Sequence, residues 1–157
     1  PDGGQAFLVA CAGRGIHGLV AAIPEEVLSN CELIISSVPG SSDKLGFLNA
    51  GLTRDDAFIA AVDLGRSWDG QSLTRTEILM LTDDLPQTHA LIERKAFPLQ
   101  VTFTLDLPAL ASGKATLDGQ GRIMFAFSGS AYADLAAVVA MRSGEVESGR
   151  LAPTKTF

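Results

Sequence analysis

From Phe97 to Leu107 the side chains alternate without a break. Phe97, Leu99, Val101, Phe103, Leu105 and Leu107 are apolar, and Pro98, Gln100, Thr102, Thr104 and Asp106 stand between them. A helix would scatter this pattern around its circumference. An extended chain separates it cleanly, because successive side chains leave opposite faces of the pleat. The stretch therefore reads as a strand with one face dry and the other wet, the habit of antiparallel sheets.

Turn residues punctuate the rest of the chain at short intervals. Examples are Gly13, Gly15, Pro39, Gly40, Gly51, Gly65, Gly70, Gly113, Gly119, Gly129 and Gly144. Apolar runs fill the gaps, which is the rhythm of a β-sandwich or barrel. Eight strand candidates result: residues 5–12, 31–38, 45–50, 57–64, 76–82, 96–107, 122–128 and 134–142. The last is ambiguous, since its alanines favour a helix while Leu135, Ala137, Val139 and Met141 alternate. Two short helical turns are expected where proline leads and acids or glycine follow, at Pro24 to Leu28 and at Pro108 to Gly113. A third is expected from Gln87 to Glu93.

The chain has 157 residues, 46% of them apolar, enough for one domain with a real core. Its formal net charge is −6, from 12 basic and 18 acidic residues. Phosphate neutralisation needs clustered cations, so a free-standing nucleic-acid binder is disfavoured. Arg94 and Lys95 are the only adjacent basic pair. No apolar run approaches the ~20 residues of a membrane-spanning helix. The chain begins at Pro1, which reads as a processed or trimmed piece. Cys11 and Cys31 lie in apolar surroundings and read as thiols, and with His17 and His89 they lack zinc-ligand spacing.

Gly13, Gly15 and Gly18 form a literal GxGxxG. Such glycines let backbone amides approach a pyrophosphate, but only between a strand and a helix. Pro24 would interrupt the helix that should follow, and no acid closes the next apolar run. A bend between strand segments is the better reading. His17 and His89 have no matched nucleophile, and Ser36, Ser37, Ser41, Ser42, Ser128 and Ser130 lie outside any nucleophile elbow. The pairs Asp55–Asp56 and Asp83–Asp84 lack calcium-loop spacing and read as solvated turns. Trp68 reads as a core or interface plug. No catalytic constellation, metal or cofactor emerges, so the protein reads as no enzyme.

The proline-acid turn Ile23, Pro24, Glu25, Glu26, Val27 leads into 31–38, then the turn Pro39 to Asp43 and a second strand. Further on, 104–110 precedes 121–128, a polar turn, 135–141 and Gly144 to Glu147. Over about half the chain, this order of features resembles the coat proteins of bromoviruses and cucumoviruses. The resemblance implies an all-β fold, an eight-stranded antiparallel jelly-roll β-sandwich over residues 1–147, with a C-terminal arm over 148–157. It implies a capsid protein that assembles with copies of itself into an icosahedral shell around viral single-stranded RNA. The arm residues Arg150, Leu151, Pro153 and Phe157 would join subunits. RNA would be bound chiefly by a basic N-terminal arm absent from this chain, with Arg14, Arg94 and Lys95 as RNA-facing cations. The virion, and host cytoplasm during assembly, would be its place. Two other readings stand beside it: a nucleotide-binding α/β enzyme using Gly13 to Gly18, and a monomeric β-sandwich binding module.

Overall fold

The computed structural model describes residues 3–38, 45–117, 121–129 and 135–142. In chain order the elements are α1 (Gly3–Ala12), α2 (Pro24–Asn30), β1 (Leu33–Ser36), a 3-10 turn (Ala50–Leu52), β2 (Phe58–Ala61), α3 (Gly70–Arg75), β3 (Ile78–Thr82), α4 (Leu85–Glu93), β4 (Leu105–Asp106), α5 (Leu107–Ala111) and β5 (Arg122–Ala126). Residues 135–142 are helical. The five strands form one sheet in the order β1-β2-β5-β3-β4, and every pairing is parallel. Strand and helix alternate along the chain, the signature of an α/β fold.

The antiparallel jelly roll is therefore corrected to a parallel α/β sheet, and the monomeric β-sandwich falls with it. The physical reason lies in the strands themselves. Leu33 to Ser36, Ile78 to Thr82 and Arg122 to Ala126 are nearly continuous apolar runs, the pattern of parallel strands, although edge strand β1 is buried on one face only. The segment read as a strand at 5–12 is α1, and 134–142 is helical where described. The segment 45–50 contributes only an isolated bridge, Leu48 to Trp68. The candidates at 31–38, 57–64, 76–82 and 122–128 do contain strands.

The alternating stretch is the instructive case. Phe97, Leu99 and Phe103 are buried while Pro98, Gln100, Thr102 and Thr104 are exposed, so the period-2 reading of burial holds. Yet only Leu105 and Asp106 pair in the sheet. The rest is extended chain laid over the core. Phe97 and Phe103 meet edge to face with centroids 5.6 Å apart, an arrangement that aromatic quadrupoles favour. Extended backbone alternates its side chains whether or not a neighbour completes a ladder.

Helix starts follow local chemistry. Asp69, Asp84 and Asp106 each cap a helix, accepting backbone N–H bonds from Ser72, Gln87 and Ala109 at 2.9, 2.8 and 2.9 Å. Proline stands in the first turn of α2, α4 and α5, where its missing N–H is harmless. The three expected helical turns thus form.

Parallel register places Ile34, Ile59, Met124 and Met80 in one row, with Ser36, Ala61, Ala126 and Thr82 in the next. All eight are buried and form the core face. The opposite face is uneven. Leu81 is buried, but Leu33 and Ile35 on edge strand β1 are 60% and 67% exposed. Ile34→Ala should cost ~2–5 kcal/mol in equilibrium denaturation, whereas Ile35→Ala should change stability by only about 0.5 kcal/mol. Equal costs would contradict the assignment of the core face.

Candidate functional site

A parallel sheet delivers all its strand ends to one edge. Here the residues at and just beyond the carboxyl ends are Ser36, Asp63, Thr82, Asp83, Asp106 and Ser128, polar groups following apolar strands. In open α/β sheets that edge is where ligands bind.

At the β1 and β2 ends a buried network fixes the loops. Trp68 Nε1 donates to Ser36 Oγ at 3.0 Å, and Ser36 Oγ donates to Asp63 Oδ1 at 3.4 Å. Gly65 N donates to the same oxygen at 3.0 Å, and Ser67 Oγ donates to Asp63 Oδ2. Ser36, Asp63, Ser67 and Trp68 are all buried. Donors on both carboxylate oxygens make burial of Asp63 tolerable. The loop carries left-handed backbone at Leu64 (φ 61°) and Gly65 (φ 74°). For leucine that conformation is uncommon and costs roughly 1–2 kcal/mol. A Cβ on Gly65 would also overlap the Leu99 side chain, so the loop is pressed onto the extended segment.

Two cavities open along this stretch. One, of about 200 Å³, is lined by Val27, Leu28, Ile34, Phe47 and Ser67 among others. The second, of about 220 Å³, is lined by Val38, Val62, Asp63, Leu64 and Arg66. Val38 borders both. A larger cavity of about 590 Å³ includes Ile78 and Arg122, the first residues of β3 and β5. There Arg122 donates to the Thr53 carbonyl at 2.9 Å and pairs with Asp55. Size favours that amino-end cavity, but the strand polarity favours the carboxyl edge.

At the β3 and β5 ends, Asp83 Oδ1 accepts from Ser128 N at 2.8 Å, from Ser128 Oγ, and from Thr82 Oγ1 at 3.1 Å. Its Oδ2 is buried without a partner among the described residues, a spare acceptor at the sheet edge. Asp83 thus departs from the solvated turn expected of it, and Asp84 is a helix cap. Asp55 and Asp56 do remain exposed. Arg54 bonds Asp56 through two nitrogens at 2.8 Å, and this holds the Asp56 carboxyl below the usual aspartate range. The resulting stability is present above pH ~4 and is lost as acid protonates Asp56.

Gly13 to Gly18 follow a helix, not a strand. The amides of Gly13, Arg14, Gly15 and Ile16 donate to the carbonyls of Val9, Cys11, Ala12 and Cys11 at 2.9–3.1 Å. Those N–H groups terminate α1 and are not turned to a phosphate. Cys11 and Cys31 are free and half-buried. No cluster of metal-ligating residues occurs among the described residues.

The expected RNA-facing cations do not form a patch at this edge. Arg14 is in the turn after α1. Arg94 and Lys95 end α4, about 13 Å of helix away from its start beside β3. Arg150, Leu151, Pro153 and Phe157, with the whole arm 148–157, lie outside the described residues. Sequence reasoning missed Ser36, Asp63, Arg66, Asp83 and Ser128 as a set. The available signal was a polar residue directly behind each buried apolar run.

No family model matches the sequence, and no curated protein matches it. Solved structures do. An archaeal alanine dehydrogenase dimer with bound NAD superposes with TM-score 0.69 at 18% identity, over 98% of this chain and 49% of its own. The protein CmnK superposes with TM-score 0.70 at 17% identity, over 98% of this chain and 47% of its own. The chain spans about half the length of these structures. The likeness extends the parallel α/β fold and overturns the viral reading: shell assembly, RNA partner and virion location all rested on the jelly roll. The expectation of no enzymatic role is tied to an all-β shell domain, and the parallel α/β fold removes that premise.

Gly65→Ala should destabilise the protein by more than ~2 kcal/mol, combining left-handed strain with the Leu99 overlap. Gly113→Ala, at φ 70° with open space around it, should cost only ~1–2 kcal/mol. Denaturant midpoints compare the two; similar losses would remove the close approach as a constraint on the loop.

Proposed function

We propose that this chain is part of an NAD-type dinucleotide-binding oxidoreductase, with its ligand lying across the carboxyl edge of the sheet. The observation that carries the reading is the all-parallel sheet, with two adjoining cavities and a set of buried polar groups at its carboxyl ends. The dehydrogenase likeness over nearly the whole chain supports it. The nucleotide-binding α/β alternative is retained in this form, without its glycine loop.

The residues fit parts of such a cofactor. Val27, Ile34 and Phe47 offer an apolar wall for a planar ring. Asp83 Oδ2 offers an unused acceptor for a hydroxyl or amide N–H. The amides of Gly13 to Ile16 offer no pyrophosphate cradle, being engaged with α1. When bound, a nicotinamide supplies hydride transfer. The chain's own contribution is a fixed loop: Trp68, Ser36, Asp63 and Ser67 hold the β1 and β2 ends at set positions, so the cavity walls need little ordering on binding.

Titration with NAD should raise the thermal midpoint. Saturation at a hundred times Kd corresponds to about 2.7 kcal/mol, or roughly 5 °C or more for a chain of this size. No shift at millimolar NAD would contradict the proposal.

A further inference from the structure

We infer that Arg66 is an oxyanion-binding residue at the carboxyl edge, placed to hold a carboxylate or phosphate of the ligand. Arg66 is half-buried and lines the cavity together with Val38, Val62, Asp63 and Leu64. Only its backbone is engaged: Arg66 N donates to the Asp63 carbonyl at 3.3 Å, and its own carbonyl accepts from Gly46 N at 2.8 Å. No hydrogen bond or ion pair engages the side chain among the described residues. Other buried or half-buried arginines have partners. Arg54 pairs with Asp56 and Glu32, and Arg122 with Asp55 and Thr53.

The missing partner is telling because a carboxylate lines the same cavity. Asp63 is already satisfied by Ser36, Gly65 and Ser67, and no ion pair joins it to Arg66. Three neutral donors hold the acid, so the five N–H donors of the guanidinium stay available. That fork matches a planar carboxylate or a phosphate edge. Backbone restraint sets its position. Left-handed geometry at Leu64 and Gly65, with Gly65 against Leu99, fixes the chain immediately before Arg66. Strain of this kind, beside a cavity at strand ends, is common where a ligand is held.

The inference rests on the carboxyl edge being the ligand side, but not on the identity of the dinucleotide. Binding of inorganic phosphate, pyruvate and NAD to the 157-residue chain, followed by calorimetry and amide chemical shifts around residues 62–67, tests it. Phosphate or pyruvate should shift those amides, and the stronger of the two names the source of the oxyanion. Arg66→Gln should weaken that binding roughly tenfold or more, and Arg66→Lys should recover only part of it. Arg94→Gln, an exposed control, should leave it unchanged. The variants must keep the wild-type thermal midpoint; if Arg66→Gln does not, the shift map on the unaltered chain decides alone. Binding of phosphate or pyruvate without NAD would uphold Arg66 and refute the dinucleotide reading. NAD binding unaffected by Arg66→Gln, with no response to the small anions, would overturn the role of Arg66 and leave the dinucleotide reading standing.

Discussion

The last strand of the sheet is inserted in its middle. β5 lies between β2 and β3, with Met124 wholly buried between Ile59 and Met80. β1 to β4 otherwise advance across the sheet in chain order, leaving a slot that only residues 122–126 fill. Until they do, β2 and β3 have no common neighbour and the core row is interrupted. Pairing at such sequence separation is entropically slow, so the order of elements constrains folding as well as form. All four pairings are parallel, and the polar groups behind the strands therefore arrive at one edge.

That edge has two halves with different chemistry. Around β1 and β2, the Ser36 and Ser67 hydroxyls and the Gly65 amide hold Asp63, the Trp68 indole holds Ser36 in turn, and the satisfied acid leaves the Arg66 side chain without a partner among the described residues. Around β3 and β5, Ser128 and Thr82 crowd one oxygen of Asp83 and leave the other bare. A half-buried cationic residue and a buried acceptor, each without a partner among the described residues, are costly in a folded chain. Their joint position at the strand ends gives the cost a use. The apolar wall of Val27, Ile34 and Phe47 adjoins the Arg66 cavity through Val38, so one ligand with an apolar body and an anionic group can span both.

Much of this was legible in the sequence, although the fold class was not. Burial along Phe97 to Phe103 follows the alternation closely, but the alternation predicts a ladder that only Leu105 and Asp106 join. Period 2 reports extended backbone and a buried side; it is silent on pairing and direction. The informative runs were the unbroken ones, Leu33 to Ile35, Ile78 to Leu81 and Ile123 to Ala126. Their lack of alternation marks strands inside a layered α/β sheet. Proline-led helix starts were readable because capping is local. Asp83 and Asp84 looked alike in sequence, yet one is a buried acceptor and the other a helix cap. Ser128, 45 residues away, makes that difference. The glycine motif reads in sequence as a bend between strand segments; it does turn the chain, but the element before it is the helix α1.

The most direct test of the account is the pattern of backbone nuclear Overhauser effects at β5. Residue 124 should show parallel-type contacts to residue 59 on one side and residue 80 on the other. Strong Hα–Hα contacts across those pairs, the mark of antiparallel neighbours, or a β5 with only one neighbour, would contradict it.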